Sequence, residues 1–129
     1  MRLLLDTHAF LWAASTPEEL NDKAREAIEN PENEIFVSAA AAWEIVIKVG
    51  LGKLKVPGDP AVWLPARVRS LGFTFLAIDA SHAVAVGALP KIHADPFDRM
   101  MIAQAQCEGL IFATRDPENL KYPVRTLIA

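Results

Sequence analysis

The chain has a single cysteine among its 129 residues, Cys107, so no disulfide can form within it. A reducing cytoplasm is therefore the expected setting. The chain also lacks a basic excess, because 13 Lys and Arg stand against 16 Asp and Glu for a net charge of −3. This balance excludes a protein that coats nucleic acid by bulk charge. It leaves room for a nucleic-acid substrate where basic residues are local or metal ions supply the positive charge.

Long apolar runs are also lacking, and none is long enough to span a membrane. The run Leu3-Leu4-Leu5 is interrupted at once by Asp6, which argues against a signal peptide. Apolar residues are nevertheless plentiful, at 52% of the chain. A chain of this length and composition can bury a real core and still present apolar surface to a partner. We therefore expect one domain over residues 1–129.

Short apolar runs alternate with helical patterns along the chain. Strands are predicted at residues 2–5, 35–37, 73–78, 110–114 and 124–128. Helices are predicted to begin after the caps Thr16, Ser38, Asp59, Asp79 and Asp95. The first has Pro17 at its first position with Glu19 reaching back to the cap, and the helix after Asp79 is predicted to run to Leu89. Strands that alternate with helices indicate an α/β fold with a mostly parallel sheet, covered on both faces.

Several acids fall where such a sheet places its active site, outside the carboxyl ends of the strands. Asp6 ends the first strand, and Asp116 follows the strand that ends at Thr114. Asp95 and Asp98 lie at the start of an apolar helix, whose free N–H groups and partial positive charge stabilise carboxylates. These acids are therefore expected at one edge of the sheet.

Glu44 is a further candidate because its surroundings are apolar. It lies about two turns into the helix after the second strand, where an unpaired carboxylate would be costly. Its side chain can lean back toward the same edge, since helical side chains point to the N-terminus. Crowded carboxylates need a proton or a cation, and oxygen ligands select Mg²⁺ or Mn²⁺. Such an ion can activate water for in-line attack on a phosphodiester.

Each acid taken alone has a plainer interpretation. Asp6 and Asp95 can cap helices, and Asp98 can complete a capping box. Glu44 can form an exposed i, i+4 ion pair with Lys48. The metal site is favoured by the set of acids, and no single member establishes it.

Other residues near the acids have two interpretations. Arg99 and Arg115 can hold substrate phosphates, or they can be ordinary surface charges. Thr114 can hydrogen-bond an acid or a water, or it can simply pack in its strand. His93 can assist the acids, although a satisfied or surface histidine is the default. Trp12 is predicted to contact the core or a partner instead of serving as a base-stacking platform.

A series of short motifs extends from the first strand to past Asp116. They are Leu4-Leu5-Asp6-Thr7-His8, Ser38-Ala39-Ala40, Trp43-Glu44-Ile45 with Lys48, Gly52-Lys53-Leu54, Leu89-Pro90, His93-Ala94-Asp95-Pro96-Phe97-Asp98-Arg99, Ile102-Ala103-Gln104-Ala105 and Thr114-Arg115-Asp116. Together they resemble the PIN domain, and more narrowly the VapC-type toxin ribonucleases of prokaryotic toxin–antitoxin pairs. The resemblance covers nearly the whole chain.

The resemblance implies a three-layer α/β/α sandwich with a central, mostly parallel sheet, as a single PIN domain over residues 1–129. It implies an endoribonuclease that depends on Mg²⁺ or Mn²⁺ and acts as the toxin of a type II toxin–antitoxin system. The family's acids map to Asp6, Glu44, Asp98 and Asp116, and Asp95 is an additional acid of this branch. The implied partners are RNA, a cognate antitoxin and a second copy in a homodimer.

Two other functions remain open at this point. A PIN-like module without catalysis would bind RNA or a partner and show no metal-dependent cleavage. A receiver-like signalling domain also uses acids and Mg²⁺ at the edge of a parallel sheet. It would need a phospho-accepting aspartate after its middle strand, where Asp79 instead has the pattern of a helix cap.

Overall fold

A five-stranded sheet forms the centre of the computed structural model, which describes residues 1–129. Its strands are β1 (Arg2–Leu5), β2 (Glu34–Ser38), β3 (Thr74–Leu76), β4 (Ile111–Thr114) and β5 (Thr126–Ile128). They lie in the order β3-β2-β1-β4-β5, and all neighbouring pairs are parallel. The sheet is thus entirely parallel where the sequence predicted a mostly parallel one.

Six helices connect and cover the strands. They are α1 (Thr7–Ser15), α2 (Asp22–Glu29), α3 (Ala39–Gly50), α4 (Pro60–Ser70), α5 (Ala80–Val86) and α6 (Pro96–Glu108). Leu3, Leu4 and Leu5 of β1 are all fully buried, although successive strand side chains face opposite sides. Both faces of the sheet are therefore covered, and the predicted α/β/α arrangement is confirmed. None of the helices has the length and hydropathy needed to cross a membrane.

The strand order reverses its direction between β1 and β4. From β1 the chain adds β2 and β3 on one side, and it then crosses over to add β4 and β5 on the other. The main-chain N–H of Asp6 donates to Ala113 O at 3.0 Å, so the two central strands stay paired to the end of β1. Such a switch point opens a crevice outside the carboxyl ends of the strands, where ligands bind in open α/β sheets.

Side-chain caps start the helices that leave this edge of the sheet. Asp6 caps α1 by accepting from the N–H of Ala9 at 2.8 Å. Ser38 caps α3 by accepting from Ala40 N at 2.9 Å, and its hydroxyl donates to the buried Gln104 of α6 at 2.5 Å. The residue that ends a strand thus also begins the next helix, which keeps these connections short and directs them from the sheet edge.

The first predicted helix begins later than the sequence indicated. The side chain of Thr16 makes no capping hydrogen bond, and Pro17–Glu19 forms only a 3₁₀ turn. Leu20 is buried with an extended backbone, and Asn21 then caps α2 by accepting from Lys23 N at 3.1 Å. Burial of Leu20 in the core therefore interrupts a segment whose local pattern is helical.

Three other elements are shorter than predicted. The strand predicted over residues 73–78 spans Thr74–Leu76, and the one over 124–128 spans Thr126–Ile128. Both lie at edges of the sheet, so each has only one neighbour to define its length. The helix predicted to reach Leu89 ends at Val86, where Gly87 follows as its C-cap.

Gly109 ends α6 with a left-handed backbone, at φ 66°. An L side chain in this conformation costs roughly 1–2 kcal/mol, so Gly109→Ala should lower the free energy of unfolding by about 1 kcal/mol. Gly50, at the end of α3, has no positive φ, and a Cβ there would meet nothing within 4 Å. Urea unfolding of Gly50→Ala should show unchanged or higher stability, and an equal loss in both variants would contradict this explanation.

Candidate functional site

A cavity of about 420 Å³ opens where β1 and β4 end, and ten of its eleven lining residues are not hydrophobic. The acids predicted to bind metal all line it: Asp6, Glu44, Asp98 and Asp116. They come from the end of β1, from α3, from the first turn of α6 and from the segment after β4. The structure thus brings four acids from separate parts of the sequence together in the lining of one cavity.

Asp6 is buried and held at both carboxylate oxygens. Oδ1 accepts from Ala9 N, and Oδ2 accepts from the hydroxyl of Thr114 at 2.6 Å. Burial raises the pKa of Asp6, although these two hydrogen bonds act in the opposite direction. Thr114 therefore makes the contact with an acid that the sequence allowed for it.

Glu44 is 5% exposed and also has a donor for each oxygen. Oε1 accepts from the hydroxyl of Thr7 at 2.6 Å, and Oε2 accepts from Lys48 Nζ at 2.6 Å. The predicted i, i+4 pair with Lys48 is thus present, but its acid is buried and both residues line the cavity. Lys48 places a cation in a wall that is otherwise rich in carboxylates.

Asp98 has a strongly raised pKa. Its pKa is raised to about 7, first by burial and then by the negative charges of Asp95 and Asp6. A carboxyl group in this state holds a proton near neutral pH unless a cation comes close. The cavity therefore has more negative charge than its own basic groups compensate.

His93 bridges two of the acids. Its Nε2 lies 3.1 Å from Asp98 Oδ2 and 3.0 Å from Asp116 Oδ2. Burial lowers the pKa of His93, but the hydrogen bond to Asp116 and the neighbouring negative charges outweigh burial, so the pKa is raised overall. The sequence assigned His93 at most an assisting role, because its partner Asp116 is 23 residues away.

Asp95 caps α6, as predicted. Its Oδ1 accepts from Phe97 N at 2.8 Å and from Asp98 N at 3.1 Å. The alternative in which Asp98 completes a capping box is wrong, because the N–H of Asp95 points to His93 Nδ1 at 3.3 Å. Asp95 also lines the cavity, so its charge acts on Asp98 while its oxygen orders the helix start.

Arg99, for which the sequence left a phosphate contact and an ordinary surface charge as alternatives, does not line the cavity. Its guanidinium donates to the main-chain oxygens of Pro90 at 2.8 Å and Val86 at 3.2 Å. It also donates to the hydroxyl of Tyr122 at 3.1 Å, and that hydroxyl accepts from His93 N at 2.7 Å. Arg99 thus holds the loop that carries His93.

Arg115 lies in the cavity wall, as its position beside Asp116 allowed. Its Nε donates to Ala129 O at 2.8 Å, and its Nη2 donates to Glu19 O. Its guanidinium carbon lies 4.3 Å from the ring centroid of Trp12. Trp12 packs against the core, as predicted, and it also lines the cavity. The sequence offered one indication of this position: Trp12 follows His8 by four residues, which places both side chains on the same face of α1.

Asn119 is a buried residue that sequence reasoning missed. Its Nδ2 donates to Thr114 Oγ1 at 3.2 Å, and its Oδ1 has no hydrogen-bond partner. It therefore supports the threonine that holds Asp6. It lies in a short 3₁₀ helix, Asn119–Lys121, and no local pattern distinguishes it from a surface asparagine.

The side chains of this cavity fit a divalent cation. Ligand atoms of His93, Asp98 and Asp116 lie within 4.8 Å of one another. The raised pKa values of Asp6 and Asp98 show negative charge that a cation would stabilise. By contrast Asp79, the acid that a receiver domain would need, is exposed and caps α5 outside this cavity.

Comparison with known proteins identifies the fold family. The PIN domain matches residues 3–123. The chain belongs to the PIN domain family. The chain is 39% identical over 61 residues to ribonuclease VapC16 of Mycobacterium tuberculosis, a segment that covers 47% of this chain and 43% of that protein. More than half of that relative's length is thus outside the match.

Solved structures share the PIN fold over almost the whole chain. VapBC2 from Rickettsia felis, crystallised with a DNA fragment from its promoter, has a TM-score of 0.74, 17% identity and 98% coverage of both chains. FitAcB from Neisseria gonorrhoeae has a TM-score of 0.63 and 20% identity, and covers 98% of this chain and 96% of that one. A toxin–antitoxin complex from Klebsiella pneumoniae has a TM-score of 0.62, 18% identity and the same coverage. The predicted PIN-like fold is confirmed.

The raised pKa of Asp98 predicts that the metal-free protein loses stability as the pH rises. Between the ordinary value of 3.8 and about 7, the unfolded state ionises Asp98 while the folded state keeps the proton. The melting temperature in EDTA should therefore fall from pH 4 toward pH 7. At pH 8, Asp98→Asn should unfold with a free energy higher than that of the wild type by on the order of 2 kcal/mol.

The matched control for this titration is Asp22→Asn, which alters an exposed aspartate on α2, away from the cavity. It should keep the pH profile of the wild type. A profile that Asp98→Asn leaves unchanged would show that Asp98 does not hold its proton in the folded state.

Proposed function

We propose that this chain is a metal-dependent endoribonuclease of the VapC type, the toxin of a type II toxin–antitoxin system. The observation that carries the proposal is the convergence of four carboxylates on one cavity at the switch point of the sheet. The PIN family and the partial match to a protein named a ribonuclease support the reaction class. Mg²⁺ or Mn²⁺ is the proposed ion because carboxylate oxygens dominate the cavity.

The four acids would hold the ion, directly or through water: Asp6, Glu44, Asp98 and Asp116. When bound, such an ion activates water and stabilises the charge that develops during in-line attack on a phosphodiester. The surrounding residues keep the acids in place for this task. Thr114 orients Asp6, and Thr7 and Lys48 orient Glu44.

His93 supports the site differently, because it contacts two of the acids at once. It lies between Asp98 and Asp116 and offers one nitrogen to both, so it keeps the two carboxylates near each other while they lack a cation. Its loop is held by Tyr122 and Arg99, which makes the position of His93 independent of the substrate. We propose that His93 positions these two acids and leaves the attack itself to water.

Substrate binding has to overcome the repulsion between an acidic cavity and the RNA backbone. Lys48 and Arg115 are the two permanently cationic side chains in the cavity lining. The molecule as a whole has a net charge of −3, but these two side chains place positive charge locally at the cavity. A bound divalent cation would add to it.

We also propose that the chain forms a homodimer and binds a cognate antitoxin in the cytoplasm. The relatives described as VapBC2 and as a toxin–antitoxin complex support the antitoxin. Exposed apolar side chains on α3, at its C-cap and on α4 support a protein interface: Trp43, Val46, Leu51 and Val62, at 49–68% exposure. The single cysteine, which is exposed and free, fits a reducing compartment.

The nuclease proposal predicts cleavage of RNA that requires Mg²⁺ or Mn²⁺ and stops in EDTA. Asp6→Asn and Asp98→Asn should each lower the cleavage rate by roughly 100-fold or more, since residues that merely support a metal already contribute about 10–100-fold. The matched control is Asp79→Asn, which changes an exposed acid outside the cavity and should keep full activity. Undiminished cleavage in both cavity variants would overturn the assignment, and RNA binding without cleavage would favour the non-catalytic module.

Asp95 should behave differently from Asp98. Asp95→Asn can still accept the hydrogen bonds from Phe97 and Asp98, so we expect a smaller loss of cleavage rate than in Asp98→Asn. Asp95→Ala removes the cap and should lower the free energy of unfolding by about 1 kcal/mol. Cleavage rates and urea unfolding of both variants separate the two roles, and equal loss of activity in Asp95→Asn and Asp98→Asn would make Asp95 a metal ligand.

A further inference from the structure

Two flat groups stack on each other in the wall of the acidic cavity. The guanidinium of Arg115 lies 4.3 Å from the ring centroid of Trp12, and we call this pair the Trp12–Arg115 stack. Both residues line the cavity together with the acids. Trp12 lies on α1, which Asp6 caps, and Arg115 directly precedes Asp116. The stack is thus built on the same two segments that carry two of the four acids.

The hydrogen bonds of Arg115 determine what it can offer to a ligand. Its Nε and Nη2, which form one edge of the guanidinium, donate to the main-chain oxygens of Ala129 and Glu19. That edge is therefore not free for the bidentate contact that arginine makes with phosphate. Arg115 is nevertheless exposed, so it retains Nη1 and one face of its plane. Arginine planes and aromatic rings both stack on nucleobases.

His8 extends this flat surface along α1. Its ring centroid lies 5.8 Å from that of Trp12 with the planes 35° apart, and His8 is an exposed lining residue of the same cavity. Trp12 is the single hydrophobic residue in the lining. Trp12 is partly buried and packs against the core, yet it also lines an acidic cavity between a histidine and an arginine. This combination of flat side chains is typical of a base-stacking platform.

We propose that the Trp12–Arg115 stack is a nucleobase subsite, which binds one unpaired base of a single-stranded RNA beside the acid cluster. The proposal rests on the ribonuclease function above and names a feature of its substrate. A duplex keeps its bases stacked inside, so the subsite selects single strands or loops. Stacking accepts every base, because each has a flat face, so this subsite contributes affinity without reading sequence.

Binding of a fluorescein-labelled single-stranded RNA 12-mer, followed by anisotropy with Mg²⁺ in the Asp98→Asn background, tests the subsite without cleavage. Trp12→Ala should weaken binding roughly 10-fold, and Trp12→Phe should recover most of the loss because a flat ring remains. Phe75→Ala, at an exposed aromatic residue of β3 outside the cavity, is the matched control and should bind as the background protein does. RNA should also quench the tryptophan fluorescence of this protein, with the quenching largely absent in Trp12→Phe.

An abasic oligomer with the same number of phosphates separates base stacking from charge. It should bind more weakly than the RNA 12-mer, and equally well to proteins with and without Trp12→Ala. Loss of abasic binding in Trp12→Ala to the same degree as RNA binding would overturn the subsite, as would unchanged RNA affinity in Trp12→Ala. Far-UV circular dichroism checks separately that Trp12→Ala is folded, and Trp12→Phe, which keeps a flat ring against the core, carries the test if it is not.

Cleavage and binding measurements together distinguish failure of the subsite proposal from failure of the ribonuclease proposal. If the wild-type chain cleaves RNA with metal and Trp12→Ala matches it in KM and kcat, the subsite is wrong and the nuclease stands. If the chain binds RNA through Trp12 but never cleaves it, the subsite stands and the nuclease is wrong. If the flat surface instead belongs to a protein partner, the single-stranded RNA will show no dependence on Trp12, which overturns the proposal.

Discussion

Repulsion between carboxylates at one edge of the sheet is the constraint on which the rest of this structure depends. Asp6 and Glu44 are buried, and Asp98 is largely desolvated, within one cavity. Each acid is compensated by a donor from another segment: Thr114 for Asp6, Thr7 for Glu44, and His93 for Asp98 and Asp116. Lys48, on the same helix as Glu44, adds a second donor to that acid. The cavity persists because these donors hold the acids close together at a cost in stability that the core repays.

These donors compensate only part of the negative charge of the acids, and the remaining charge suits the cavity to a cation. Two acids keep raised pKa values despite their hydrogen bonds. A divalent ion would stabilise the ionised forms, so binding of the ion and release of protons are coupled. The same residues therefore lower the stability of the metal-free protein and would provide the affinity for the metal ion that we propose. The flat groups of Trp12 and Arg115 add a surface of a different chemistry beside this charge.

The alternation of strands and helices could be predicted, and so could the sheet edge that the four acids share, because each rests on a local signal. A strand of consecutive leucines must be buried on both faces, and an acid directly after a parallel strand lies at its carboxyl end. Predictions failed where a distant contact outweighs the local pattern. Burial of Leu20 delays the start of α2. The main-chain oxygens of Pro90 and of Val86, the last residue of α5, accept the hydrogen bonds of Arg99 outside the cavity.

By itself, the sequence determined that this protein is an α/β domain whose acids meet at one sheet edge, because hydrophobic periodicity and helix caps act within a few residues. Only the tertiary structure decided which neighbours those acids have. His93 reaches Asp116 across 23 residues, and Thr114 reaches Asp6 across 108. Arg115 is held beside Trp12 by the carbonyl groups of Ala129 and Glu19, which are far apart in the sequence. The physical reason is that charge compensation and stacking act over a few ångströms in space, a distance that the folded chain alone sets.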